Sequence, residues 1–256
     1  LLPNLLGAPR WAADSRYAVP GSVVTITIPR DPNEFAAFAR DTVTRYRQGG
    51  QFWEDNPSLV RPEFRYWQVW NEPDFARFWP QHLGERQTVT VGGKRLTSND
   101  FRFAPTYLAL LRPTSAAIRA ADPTARIMLG SMTNLAWESF GRLYKAGGKG
   151  LGRTAKLFDA VGINIFTSKP SSLAMAFAKT RAALSTYGDA SLKLALTEYS
   201  WSSAKGITFP DMKLSYIIGS QADQATNLKS AFGVLVANLR RYNLDSGYWY
   251  SWATPD

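Results

Sequence analysis

Two glutamates stand where short apolar segments of the chain end. Glu72 lies in YWQVWNEPD, residues 66–74, and Glu198 lies in LKLALTEYS, residues 192–200. A buried strand that stops at a glutamate brings a carboxyl group to the end of a sheet, where it can transfer a proton or attack an electrophile. Two carboxyl groups about 5 to 5.5 Å apart hydrolyse a glycosidic bond with retention of configuration. The pair therefore suggests a retaining glycosidase.

The segments around both glutamates belong to an alternation of apolar strands and amphipathic helices. This pattern predicts a parallel sheet covered by helices, an α/β fold. The predicted strands are 2–6, 66–70, 126–130, 160–165, 192–196 and 247–252. The predicted helices are 31–48, 105–121 with a kink near Pro113, 137–146, 172–187 and 222–242. Carboxyl ends of parallel strands meet at one mouth of a barrel, so the distance between the glutamates in sequence is no obstacle.

The first helix has a clear beginning and a clear apolar stripe. Asp31 caps it, Pro32 supplies the preset first-turn angle, and Glu34 completes a capping-box-like arrangement. The residues expected to face inward are Phe35, Phe38, Ala39, Thr42, Val43 and Tyr46. A hairpin is predicted at QTVTVGGKRL, residues 87–96, because two β-prone arms flank adjacent glycines.

Composition favours one globular domain covering residues 1–256. The chain is 45% hydrophobic and 13% aromatic, which is enough to bury a core. It has no cysteine, so disulfides and thiolate chemistry are excluded, and a single histidine, His82, gives little support to a Ser-His-Asp hydrolase or a histidine-rich metal site. No nucleotide-binding glycine loop and no membrane-spanning run is present. No cofactor and no metal are expected.

The formal net charge of +10 is spread through the chain rather than clustered. Dispersed charge favours an acidic ligand only weakly, and no motif for nucleic-acid binding accompanies it. The expected partner is a carbohydrate substrate, with no nucleic acid and no membrane span. A secreted or cell-envelope location of bacterial type is favoured, although the lack of cysteine leaves the compartment open.

The segments WNEPDFARFW and LTEYSWSS resemble clan A glycoside hydrolases, most closely family 39 and the related family 5. These enzymes are (β/α)₈ barrels with an acid/base glutamate after the fourth strand and a nucleophilic glutamate on the seventh. Aligning the fourth strand with residues 66–70 implies that the chain covers barrel strands three to eight. The first two strand-helix units and the last helix would then lie outside it, and a further polypeptide segment would complete the barrel.

The resemblance implies a role for each matching residue. Glu72 matches the acid/base, Asn71 matches the residue that binds the sugar 2-hydroxyl, and Glu198 matches the nucleophile. Trp252, near the end of the eighth strand, matches the aromatic platform of the subsite before the cleaved bond. The chain departs from the family at the sixth strand, which ends in IFT, residues 165–167, where the family presents a histidine or tyrosine that orients the nucleophile.

Each of these residues also has a structural explanation. Glu72 favours a helix N-terminus, and Asn71 can cap the following turn. The tryptophans can stack on sugar rings or pack in the core, and Tyr199 can support the nucleophile or pack on the next strand. The candidate platforms besides Trp252 are Trp11, Trp79 and Trp201. Two other classes of protein remain open: a noncatalytic carbohydrate-binding barrel that lost activity through the altered sixth strand and, more distantly, a basic nucleic-acid-binding module.

Overall fold

The computed structural model describes residues 1–14, 27–62, 65–75, 78–79, 87–91, 94–98, 103–207 and 215–250, with the backbone alone in 87–91, 94–98 and at 215. Within these ranges six strands form one sheet and two form a hairpin. The sheet strands, in chain order, are β1 (Asn4–Leu5), β2 (Trp67–Asn71), β5 (Ile127–Met132), β6 (Ala160–Asn164), β7 (Lys193–Tyr199) and β8 (Leu244–Trp249). The hairpin strands are β3 (Gln87–Val91) and β4 (Lys94–Ser98).

The sheet is parallel, and its spatial order β1-β2-β5-β6-β7-β8 is also the order along the chain. Sheet strands alternate with helices, which are α1 (Pro32–Tyr46), α2 (Gln51–Asp55), α3 (Phe103–Ala121), α4 (Ala136–Gly147), α5 (Ser172–Thr186) and α6 (Gln221–Asn238). This sequential parallel arrangement is that of a partial (β/α)₈ barrel, as predicted.

The predicted hairpin and helices are confirmed, and the capping of the first helix is confirmed in part. β3 and β4 pair antiparallel, with Val91 opposite Lys94. At α1 the Asp31 side chain accepts a hydrogen bond from the Asn33 amide, whereas Glu34 pairs with Arg30 at 3.6 Å. The long helix α3 runs continuously through Pro113.

Two predictions about packing and boundaries are wrong. Phe38 does not face inward, because half of its side chain is exposed while Phe35, Ala39 and Val43 are buried. The last strand begins three residues earlier than predicted, at Leu244, which pairs with Leu194. Asn243, with a φ of 51°, turns the chain out of the preceding helical turns and places the strand there.

The chain divides into two compact units, each with its own buried residues. The first comprises Leu1–Gly130 and Arg142–Ala160, and the second comprises Ser131–Gly141 and Val161–Asp256. In the first unit α1 packs on α3, and the buried side chains include Val43, Val69, Trp70, Leu110, Leu111 and Ile127. In the second unit α5 contacts α6, and the buried side chains include Phe140, Ile163, Phe177, Leu184, Leu194 and Leu196.

None of the helices in the described ranges combines the length and the apolar character that crossing a bilayer requires.

Candidate active site

Glu72 follows the last residue of β2, in a backbone conformation that few residues adopt. Trp70 has a φ of 72° and Glu72 a φ of 45°, on either side of Asn71, where the strand ends. A positive φ costs a residue other than glycine on the order of 1–3 kcal/mol, and bulky side chains adopt it rarely. Such strain concentrates at active sites and ligand clamps. The motif singled out in the sequence therefore coincides with a strained strand end.

A buried tyrosine on α3 holds this strand end in place. The Tyr107 hydroxyl donates to the Val69 carbonyl oxygen at 2.7 Å and accepts from the Gly130 amide at 2.9 Å. A Cβ at Gly130 would lie 2.8 Å from the Val69 oxygen and 2.9 Å from the Tyr107 hydroxyl, so only glycine permits this close approach. Burial raises the pKa of Tyr107 well above its usual range, so the hydroxyl remains a donor.

Asn71 and Glu72 are both nearly buried, with 8% of each residue exposed. Little of either side chain is therefore in contact with bulk water. The Gln68 side-chain nitrogen donates to the Trp70 carbonyl oxygen at 3.0 Å. It also donates to Asn71 Oδ1 at 3.4 Å, so the oxygen of the Asn71 side-chain amide has a protein partner.

Glu198 lies at an irregular point of β7. Leu196 pairs with Gly247 and Tyr199 pairs with Trp249, so three residue steps on β7 match two on β8. The additional residue forms a bulge at Thr197 and Glu198. Bulges redirect side chains and recur beside active sites. Glu198 is only partly buried, in contrast to its neighbours in the strand.

A buried polar network lies directly before Glu198. Thr197 Oγ1 is 2.6 Å from Ser131 Oγ, 2.7 Å from Asn164 Oδ1 and 3.0 Å from the Ile163 carbonyl oxygen. A hydroxyl has one proton and two lone pairs, so Thr197 donates to one of the last two groups and accepts from Ser131. A Cβ at Gly162 would lie 2.6 Å from Ser131 Oγ, so glycine leaves room for the network.

Asn164 is the polar side chain that β6 contributes here, and its place in this network could not be predicted from the sequence. It is 1% exposed and ends the strand just before Ile165. Two hydrogen bonds fix the backbone of Phe166, two residues after Asn164. The Phe166 amide donates to Asn134 Oδ1 at 2.7 Å, and the Tyr216 hydroxyl donates to the Phe166 carbonyl oxygen at 3.2 Å. The only sequence signal was an asparagine at the end of an apolar run.

The candidate sugar platforms differ sharply in exposure. Trp79 is 1% exposed and packs edge to face against Trp70 and Tyr107, so its ring faces are occupied by protein. Trp201 is 2% exposed, and Tyr199 is equally buried beside it. Burial raises the pKa of Tyr199. These rings present no open face to a ligand.

Trp11 is instead 75% exposed. It lines an apolar cavity of about 460 Å³ in the first unit, together with Pro9, Phe35 and Phe38. Trp252 lies outside the described residues, so its match to the aromatic platform of clan A glycoside hydrolases stays a prediction. The described strand β8 ends three residues before it.

A smaller, polar cavity of about 190 Å³ lies in the second unit, beyond the end of β7. Trp201 and Ser202 form part of its wall, and the first turns of α6 form another part. The indole Nε1–H of Trp201 is buried and meets no hydrogen-bond acceptor among the described residues. A buried donor left unpaired costs on the order of 1–3 kcal/mol.

No group of three or more metal-ligating side chains occurs within the described residues. The polar side chains described at the two strand ends carry carboxyl, amide and hydroxyl groups.

Comparison with solved structures identifies the same fold in several proteins. A glucosidase from Croceicoccus marinus matches with a TM-score of 0.54 at 14% identity, over 86% of this chain and 38% of its own. A beta-glucuronidase from Bacteroides uniformis matches with a TM-score of 0.52 at 15% identity, over 88% of this chain and 22% of its own. A protein crystallised as CbXyn10B matches with a TM-score of 0.53 at 14% identity, over 97% of this chain and 63% of its own.

This chain spans less than two thirds of the length of each of these proteins. At such identities the similarity establishes the fold and no more. No protein-family model matches the chain. No curated protein matches it as a sequence relative either.

Proposed function

We propose that the chain belongs to the catalytic barrel of a retaining O-glycoside hydrolase that acts on an oligosaccharide or polysaccharide. The observation that carries the proposal is the strained end of β2, where a nearly buried glutamate follows Trp70 and Asn71. Glu198 at the bulged end of β7 supplies a second carboxyl group from another strand of the same sheet. The folds of a glucosidase and a beta-glucuronidase support the same class of reaction.

In the proposed first step a carboxylate oxygen of Glu198 attacks the anomeric carbon. The glycosidic carbon-oxygen bond breaks, and Glu72 donates its proton to the departing oxygen. In the second step Glu72, now a carboxylate, removes a proton from water, and the water oxygen attacks the same carbon. This attack releases Glu198 as a carboxylate and gives a product with the original anomeric configuration.

Asn71 and Thr197 have supporting parts in this proposal. The Asn71 amide donates to the sugar 2-hydroxyl, a contact that strengthens in the transition state of such reactions. Thr197, anchored through Ser131 and Asn164, fixes the backbone from which Glu198 projects. Among the aromatic candidates, the exposed Trp11 is suited to stacking on a sugar ring.

The two glutamates have distinct roles, so their alanine variants should differ. Glu198→Ala should lower turnover on an aryl glycoside by a thousandfold or more, on the order of 4 kcal/mol or more of transition-state stabilisation, and added azide should restore a glycosyl azide of inverted configuration. Glu72→Ala should retain the first step on substrates with good leaving groups and give an azide product of retained configuration. The measurement is steady-state kinetics with NMR assignment of the anomeric products.

The matched control is Glu54→Ala, which removes an exposed glutamate on α2 and should leave turnover unchanged. Wild-type-like hydrolysis by either catalytic variant would reject the assignment. A chain that binds sugars without hydrolysing any glycoside would instead be the noncatalytic carbohydrate-binding barrel.

A further inference from the structure

Three connections of the second unit meet in a ring of hydrogen bonds near the carboxyl ends of their strands. Asn134 lies two residues after β5, Phe166 lies two residues after β6, and Tyr216 lies between β7 and α6. Asn134 Oδ1 accepts from the Phe166 amide at 2.7 Å, and the Tyr216 hydroxyl donates to the Phe166 carbonyl oxygen at 3.2 Å. Asn134 Nδ2 closes the ring by donating to the Tyr216 hydroxyl at 3.4 Å. We call these three residues the Phe166 clasp.

The side chains of the clasp lie at the surface, outside the buried core of the second unit. Asn134 is exposed, and 42% of Tyr216 is exposed, so water can replace their hydrogen bonds when either side chain is shortened. Exchange with water keeps the net contribution of such hydrogen bonds to stability small. The main effect of the clasp is therefore to fix the position of the Phe166 backbone, which both side chains bond.

The end of β6 also holds the strand of the proposed nucleophile. Directly before Phe166, the buried Ile165 donates its amide hydrogen to the Glu198 carbonyl oxygen at 2.9 Å. One residue earlier, Asn164 Oδ1 lies 2.7 Å from Thr197 Oγ1. Three consecutive residues at this end of β6 therefore bond the side chain before Glu198, bond the backbone of Glu198 and enter the clasp.

Contact with β6 matters most at the bulge of β7. On the other side of β7, regular pairing with β8 is interrupted between Leu196 and Tyr199, so β8 does not hold the two residues of the bulge in register. The hydrogen bonds from Asn164 and Ile165 reach the bulge from β6. A shift of the end of β6 would therefore move the backbone from which Glu198 projects.

We infer that Asn134 and Tyr216 are positioning residues for Glu198, because they fix the Phe166 backbone and with it the end of β6 that holds the bulge. The inference rests on the proposed nucleophilic role of Glu198 and adds to it two side chains from neighbouring connections. These side chains act through the backbone of β6. Their loss should therefore slow attack on the anomeric carbon without weakening the binding of the sugar.

The first measurement follows the hydrogen bond between Ile165 and Glu198 by amide hydrogen exchange and NMR in the 256-residue chain. Tyr216→Phe and Asn134→Ala should each make exchange at Ile165 about tenfold faster, because this hydrogen bond opens more often once the clasp is broken. The Leu194 amide is also hydrogen-bonded but lies near the start of β7, and it should keep the wild-type exchange rate.

The second measurement is inactivation by an activated 2-fluoroglycoside, which leaves its sugar on the nucleophile. The rate constant of inactivation should fall about tenfold in Tyr216→Phe and in Asn134→Ala, with no change in the reagent concentration that gives half the maximal rate. The matched control is Tyr250→Phe, which removes the hydroxyl of an exposed tyrosine whose ring meets Phe166 edge to face, outside the clasp. It should alter neither exchange nor inactivation.

The inference is overturned if both clasp variants keep the wild-type exchange rate at Ile165. Equal acceleration at Ile165 and Leu194 would also overturn it, since that result means a general loss of stability, and so would faster exchange at Ile165 with unchanged inactivation. A wild type that neither reacts with a 2-fluoroglycoside nor hydrolyses an aryl glycoside rejects the glycosidase function instead. Exchange at Ile165 then still decides whether the clasp holds the backbone of Glu198.

Discussion

At the scale of single residues, positive φ angles at Trp70 and Glu72 mark the strand end that we propose to be catalytic. Strain of this size persists only where neighbouring groups enforce it. Here the enforcing groups are the Tyr107 hydroxyl and the Gln68 amide, which bond the carbonyl oxygens of Val69 and Trp70. The backbone conformation that positions Glu72 therefore depends on these two side chains.

Removing the Tyr107 hydroxyl tests this dependence. Tyr107→Phe leaves the Val69 carbonyl and the Gly130 amide without their buried partner, so the free energy of unfolding should fall by about 1–3 kcal/mol. The displaced strand end should lower kcat about tenfold or more with little change in KM, because the geometry of proton donation suffers more than substrate binding. Urea unfolding and steady-state kinetics measure the two effects.

Tyr46→Phe is the matched control, since the Tyr46 ring packs on Phe52 and both parameters should be retained there. If the Tyr107→Phe protein loses stability but keeps the wild-type kcat, Tyr107 contributes to stability alone and does not position Glu72.

The sequence revealed the residues of the candidate site unevenly, for a physical reason. Glu72 and Glu198 were visible because a carboxyl group at the end of an apolar run is unusual. The partnership of Thr197 with Asn164 and Ser131 was not visible, because it joins separate strands through burial and register. For the same reason the burial of Trp79 and Trp201 could not be predicted, since a tryptophan beside a strand end can be buried in the core or exposed to a ligand.

At the scale of elements, the start of α6 contains a reciprocal cap that links helix stability to pH. Ser220 Oγ accepts from the Asp223 amide at 3.2 Å, and the Asp223 carboxylate accepts from the Ser220 amide. The hydroxyl of Ser220, at 2.7 Å, and then its amide, at 2.8 Å, donate to the Asp223 carboxylate and lower the pKa of Asp223. A carboxyl group with a lower pKa in the folded state adds stability above its unfolded pKa of about 3.9, and this contribution disappears as the pH falls through the folded value.

Asp223→Asn should therefore lower Tm relative to the wild type at pH 7, and the difference should shrink as the pH falls below about 3.9. Thermal unfolding followed by circular dichroism across this range measures it. Ser220→Ala should cost about 1 kcal/mol at neutral pH by removing the N-cap itself. Glu54→Gln, at an exposed carboxyl group on α2, serves as the control for the loss of a charge. A pH-independent difference for Asp223→Asn would contradict the linkage.

The elements themselves were largely readable from the sequence, and their limits were not. Hydrophobic periodicity located the helices and strands, whereas β8 was predicted too late because Asp245 interrupts its apolar pattern. Gly247 was expected to begin the strand, yet it lies within it, where a Cβ would come 2.9 Å from Leu235 Cδ1. The close approach of Gly247 to Leu235 of α6 fixes the position of β8 in the sheet. This contact joins separate elements, so it cannot be predicted from the local sequence of the strand.

At the scale of the whole molecule, the described sheet ends at β1 on one side and at β8 on the other. Unpaired strand edges promote association with other chains. We propose that further polypeptide pairs with these two strands and completes the barrel. Hydrogen exchange of the 256-residue chain alone should then show weak protection at β1 and β8, and sedimentation should show association. A monomer with strongly protected amides in both strands would contradict the proposal.

The most direct measurement of the central claim is covalent trapping of the nucleophile. A panel of activated 2-fluoroglycosides, of the gluco, galacto and xylo series, is incubated with the wild type, Glu198→Gln and Glu54→Gln, and the adducts are located by peptide mass spectrometry. The proposed mechanism predicts one sugar adduct per chain on the peptide containing Glu198, present in the wild type and in Glu54→Gln but absent from Glu198→Gln. An adduct on any other residue, or no adduct while the wild type hydrolyses the matching aryl glycoside, would contradict it.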